Sequence, residues 1–159
     1  MSQLARELKQ TRPFASPAHE AVVSIKRTAA ILELRLAEVL RPFGITPTQY
    51  NVLRILRGAG ANGLPRCQVQ GRLVAPVADT TRLLDRLEKM GLVSRARDAD
   101  DRRVVTSRIT PRGLALIDNA AGPLRELEQG EVGQVSEARL RSLIGVLDEI
   151  RRLTPSRQA

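Results

Sequence analysis

The chain has 159 residues, 42% apolar and 27% charged, a balance that places it among globular proteins and excludes wholesale disorder. It carries a formal net charge of +9, and 23 of its 26 cationic side chains are arginine, which suits forked contacts with phosphates and base edges. Its aromatics are Phe14, Phe43 and Tyr50, with one cysteine and one histidine; this excludes modules that stack several bases on rings, an internal disulfide and multi-thiolate or two-histidine metal sites.

No apolar run approaches the roughly 20 residues of a membrane span. The N-terminal MSQLARELKQTRPF is too polar for a signal peptide, so a cytoplasmic protein without membrane contact is expected. The cations are unevenly spread. Residues 41–112 hold 14 basic and 6 acidic side chains, whereas residues 113–159 hold 6 basic and 7 acidic. Between Arg41 and Ala78 there are five arginines and no acid. A basic middle between nearly neutral ends reads as a polyanion-binding module framed by segments with a different role.

Residues 1–16 are polar and aperiodic, and read as a loose arm. From Pro17 to Leu40 the residues Val22, Ile25, Ala29, Leu32, Leu36 and Val39 recur at steps of three and four, which predicts a long amphipathic helix. Pro42 and Gly44 end it, and Thr46-Pro47 caps the next, whose stripe is Tyr50, Leu53 and Leu56. Gly58–Gly63 is a glycine loop. It matches G-x-G-x-x-G but follows a helix rather than a strand, so no dinucleotide site is expected. Leu64-Pro65 opens a short helix with Val69 and Leu73, and a further helix runs from about Val77 to Met90 before Gly91. Leu92–Arg97 and Arg103–Ile109 flank the turn 98–101 and predict a β-hairpin. Thr110-Pro111 caps a helix carrying Leu114, Ile117, Ala121, Leu124 and Leu127, with a kink expected at Gly122-Pro123. Ser136 starts the last helix, with Leu140, Leu143, Ile144, Leu147 and Ile150 on one face.

Helix, helix, helix, hairpin through 45–112 is the order of a winged helix-turn-helix. The expected fold is therefore mainly α with a small β-hairpin wing, framed by long N- and C-terminal helices at 17–40 and 113–153. Helices far apart in sequence with continuous apolar stripes need each other or a second copy, and a two-fold homodimer is the expectation. The helix TTRLLDRLEKM places Leu83, Leu84, Leu87 and Met90 on one face and Arg82, Asp85, Arg86 and Lys89 on the other. Such a helix can rest on its own domain while its arginines face a major groove. In the hairpin, Arg95, Arg97, Arg102, Arg103 and Arg108 surround three aspartates, a charge pattern suited to a wing that enters a minor groove.

The run from Thr80 to Gly113 closely resembles the multiple antibiotic resistance regulator (MarR) family of winged-helix repressors. The resemblance rests on Thr81–Glu88 (TRLLDRLE), Gly91-Leu92-Val93-x-Arg95, Asp101-Arg102-Arg103 and Ile109-Thr110-x-x-Gly113, and upstream on ITPTQYNVLRIL at 45–56. It implies that Thr81, Arg82 and Arg86 meet the major groove or its phosphates, that Arg103 enters the minor groove, and that Asp101 orients it. Thr80, Arg95 and Arg102 complete the candidate DNA-binding set. Two positions depart from the pattern: Gln68 stands where many members carry an acid, and Asp79 begins the recognition helix, where it suits an N-cap.

The implied function is a homodimeric repressor of a palindromic promoter site on double-stranded DNA. It would be released by a small-molecule effector, of which an anionic aromatic suits so arginine-rich a chain. Arg27, Tyr50 and Arg54 are candidate pocket residues. No catalytic set, metal site or cofactor is expected, so the chain does not read as an enzyme. Two alternatives remain: redox sensing through Cys67, or non-specific coating of DNA by a nucleoid-type protein.

Overall fold

Side-chain caps open most of the helices of this chain. The computed structural model describes residues 2–97 and 104–154. Ser2 accepts from Ala5 N and opens α1 (Gln3–Glu7), whose Ala5 is buried, so part of the expected loose arm is helical. Ser16 accepts from His19 N at the head of α2 (Pro17–Leu40), the span that the apolar period predicts. A 3-10 turn over Arg41–Phe43 ends in Gly44 at φ 70°. Thr46 and Gln49 then form a reciprocal capping box on α3 (Pro47–Ala59).

Leu64-Pro65 does not open a helix. These two residues form β1, and α4 (Arg66–Gly71) begins behind them and stops short of Leu73. The reason is backbone pairing. Leu64 lies opposite Ser107 and Pro65 opposite Thr106 on β3 (Val105–Ile109), which also pairs antiparallel with β2 (Val93–Arg97). The expected two-stranded hairpin is thus a three-stranded sheet in the order β1-β3-β2. Gly63 makes this possible. It sits at φ +65°, and a Cβ there would lie 2.4 Å from the Ser107 carbonyl oxygen.

The helix α5 (Thr80–Lys89) starts three residues later than expected, because Asp79 takes the N-cap and accepts from Arg82 N at 2.9 Å. Pro76, just upstream, disfavours helical geometry in the residue before it. At the far end Thr110 joins two elements: its hydroxyl donates to Gly91 O at 2.7 Å and accepts from Gly113 N at 3.1 Å. The helix α6 (Pro111–Gly130) follows and remains helical through Pro123, which has no N–H to offer the Asn119 carbonyl. The last helix, α7 (Glu137–Leu153), begins after Ser136 as expected.

The chain forms two compact units, Met1–Ala121 and Gly122–Ala159. In the first, Leu40, Val52, Leu53, Leu56, Val69, Leu84, Leu87, Leu92, Val93 and Ile117 are nearly or wholly buried. Each such side chain contributes on the order of 1.5–3 kcal/mol. The start of α2 is different: Val22 and Ile25 are 56% and 38% exposed. In the second unit α7 has no buried residue at all, with Leu143, Ile144, Val146, Ile150 and Leu153 exposed. Among the described residues no helix is long and apolar enough to cross a membrane.

Candidate nucleic-acid interface

Burial divides α5 into two faces. Leu84 and Leu87 are fully buried and fix the helix to its unit, while Thr81, Arg82, Arg86 and Lys89 are exposed. Thr80, expected among the DNA-facing residues, is buried at 3% exposure at the foot of the helix, so its hydroxyl is not on the outer face.

Three acids lie on or beside this helix, and each one is engaged. Asp79 caps the helix with Oδ1 and holds Arg82 Nε with Oδ2 at 3.3 Å. Asp85 pairs with Arg95 Nη1, and Glu88 Oε2 lies 3.9 Å from the same nitrogen. The Arg95 side chain is only 19% exposed. Arg95, expected among the DNA-binding residues, lies between β2 and α5, where it pairs with Asp85 and Glu88. Sequence carried a signal for this. Strand alternation puts Arg95 on the same side of β2 as buried Val93, two residues away. On the outer face Arg86 and Lys89 have no hydrogen-bond or ion-pair partner among the described residues, so their charge is available to a ligand.

Around this helix the neighbouring elements add cations. On α4, Arg66 donates to Gln70 at 3.0 Å and stays exposed. Asn51 on α3 accepts from Val74 N at 3.0 Å and ties down the turn between α4 and α5. Cys67 is exposed and lines a cleft of about 340 Å³ with Pro65, Arg66, Thr81, Arg95, Val104 and Val105. In the wing Arg97 is exposed, whereas Arg108 Nε donates to Ala61 O at 2.8 Å and covers the glycine loop. That loop closes a 3-10 turn at Gly60–Asn62 beside a strand edge. Asp101, Arg102 and Arg103 lie outside the described residues.

Of the candidate pocket residues, the structure brings two together. Arg54 Nη1 donates to the Tyr50 hydroxyl at 3.2 Å, and its guanidinium stands 5.9 Å from the ring centroid, one helical turn away on α3. Arg27 is exposed on α2, and no hydrogen bond or ion pair among the described residues joins it to that pair.

Comparison with known proteins places this geometry. The sequence model of the MarR family matches residues 45–105. YhbI of Bacillus subtilis (strain 168), an uncharacterized HTH-type transcriptional regulator, is 31% identical over 128 residues, which is 79% of each chain. YsmB of the same organism and description is 34% identical over 94 residues, 59% of this chain; the match spans 63% of its own length. A solved MarR transcription factor from Planctomyces limnophilus has a TM-score of 0.66 at 33% identity, covering 86% of this chain and 98% of that one. Two others share the fold at lower identity. The S. aureus MepR–DNA complex has a TM-score of 0.74 at 24% identity, covering 81% of this chain and 94% of that one. CouR from Rhodococcus jostii RHA1 bound to p-coumaroyl-CoA has a TM-score of 0.69 at 22% identity, covering 86% and 95%. With 33% identity to a solved MarR transcription factor over 86% of this chain, and the MarR family model matching residues 45–105, this chain belongs to the MarR family of winged-helix transcriptional regulators.

Proposed function

We propose that the chain is a ligand-responsive repressor that binds a palindromic promoter site as a homodimer. The observation that carries this reading is the outer face of α5: Arg86 and Lys89 are open to a polyanion, Arg82 is exposed at 88%, Asp79 at the helix start pairs with Arg82, and Asp85 and Glu88 pair with Arg95. Thr81, Arg82 and Arg86 then meet bases and phosphates of the major groove, while Arg103, oriented by Asp101, and Arg102 serve the wing in the minor groove. The DNA complex of MepR supports the use of this fold on duplex DNA.

The dimer is formed by the helices within 17–40 and 113–153. Their exposed Val22, Ile25, Leu143, Ile144 and Ile150 are the surfaces that a second copy covers. A small anionic aromatic effector binds beside the DNA-reading module, with Tyr50 and Arg54 as lining candidates, and changes the spacing of the two α5 helices. In CouR the same fold holds p-coumaroyl-CoA, an anionic ligand with an aromatic acyl group. The deciding measurement is binding to the duplex immediately upstream of the chain's own coding region, against scrambled duplex at matched salt. Tighter binding to the first supports the reading. Equal affinity, lost alike as salt rises, assigns the chain to non-specific coating of DNA instead.

A further inference from the structure

We propose that Asp79 and Arg82 act as one base-reading unit, in which the carboxylate holds the arginine so that its outer edge meets a guanine. The inference rests on the reading that α5 enters a major groove.

The geometry is a closed loop between two residues three apart. Asp79 Oδ1 accepts from the Arg82 backbone N–H at 2.9 Å, and Oδ2 lies 3.3 Å from Arg82 Nε. Both carboxylate oxygens are thus directed to the same residue, one to its main chain and one to its side chain. A guanidinium presents two useful edges: the side edge, which includes Nε, and the end edge formed by Nη1 and Nη2. Asp79 occupies Nε. The end edge has no partner among the described residues, and the side chain is 88% exposed. Two parallel N–H groups pointing outward match the O6 and N7 acceptors of guanine in the major groove.

Charge argues in the same direction. An arginine used only to attract phosphate is weakened by an adjacent carboxylate, whereas a two-pronged base contact depends on orientation, which the carboxylate supplies before DNA arrives. Arg86, one turn further on, has no ion-pair partner among the described residues and is the phosphate-type contact of the pair. The two arginines therefore divide the work, with Arg82 selecting a base and Arg86 supplying affinity for the backbone.

The test is enrichment of duplexes from a randomised pool by wild-type protein and by Asp79→Asn, Arg82→Ala and Arg86→Ala. Asparagine keeps the helix cap and removes only the charge, so the fold is preserved in Asp79→Asn. Wild type should enrich a motif with a fixed guanine. Asp79→Asn and Arg82→Ala should both lose preference at that guanine, by between about fivefold and about a hundredfold, while Arg86→Ala keeps the motif and binds all duplexes more weakly. On the wild-type motif, the double variant Asp79→Asn/Arg82→Ala should bind as Arg82→Ala alone does, since the acid acts through the arginine. An unchanged guanine preference in Asp79→Asn, tighter binding of that variant to every duplex, or additive losses in the double variant each overturn the proposal and leave the groove reading standing. If wild type enriches no motif at all, the groove reading itself fails, and this inference falls with it.

Discussion

Arg95 and Arg86 carry the same formal charge and lie nine positions apart, but the first is enclosed against Asp85 and Glu88 and the second is open to solvent. Their variants should separate accordingly. Arg95→Ala leaves two acids unpaired on the recognition helix and removes a partly buried ion pair, a loss of about 1–3 kcal/mol. The expected outcome is a melting temperature lower by several degrees, with the slope of DNA affinity against salt unchanged. Arg86→Ala should leave melting almost unaltered and reduce that slope by about one counterion. Thermal melts and salt titrations on one duplex distinguish the two; a reduced slope with normal melting in Arg95→Ala would make it a phosphate contact. Residue identity alone does not reveal this division. The count of cations is legible in the sequence, but whether a cation is already partnered depends on a contact between residues ten apart on different elements.

At the scale of elements, the sequence makes legible whatever is encoded locally. The starts of α3 and α6 follow from Thr46-Pro47 and Thr110-Pro111, and the apolar stripe from Pro17 to Leu40 sets the span of α2. The strand β1 is not legible, because a Leu-Pro pair ahead of a helix looks like a helix start and its pairing partner lies 43 positions away at Ser107. The start expected for the recognition helix is too early since Val77 extends the apolar pattern, while the Asp79 cap decides the true one. Gly63 is the hinge of this arrangement. Gly63→Ala should cost about 2 kcal/mol or more, from both the left-handed backbone and the contact with Ser107, and should loosen β1 from β3. Faster amide exchange at Ser107 and its strand neighbours would register it. For the proposed wing contact, Arg103→Ala should weaken DNA binding and leave melting almost unchanged. Asp101→Ala discriminates further. Simple charge removal predicts tighter binding, whereas an acid that orients Arg103 predicts weaker binding, and the affinity at fixed salt decides which.

For the whole molecule, α7 buries none of its residues and α2 leaves Val22 and Ile25 open. Apolar faces of that length are covered in a stable assembly. Light scattering at micromolar concentration should therefore report twice the 17.5 kDa of one chain. Ile144→Glu, which places a charge in the middle of the exposed α7 stripe, should shift the mass toward a single chain and weaken binding to a palindromic duplex far more than to one half-site. A wild-type mass of one chain would sink the dimer. In the DNA-bound dimer the two α5 helices should lie about one duplex turn apart, roughly 34–36 Å.

The pairing of Leu64 with Ser107 and the approach of Gly113 to Leu92, where a Cβ would lie 2.4 Å from the carbonyl oxygen, also set the size of the portable part. A recombination cut between Pro65 and Arg66 separates β1 from the helix that follows it, and a cut after Arg97 divides β2 from the strand it pairs with. Swaps between related regulators should therefore preserve stability better in a block that keeps Gly63 through Gly113 together. Shorter swaps that carry α5 alone bring new arginines without the Arg95 that neutralises the acids beside them.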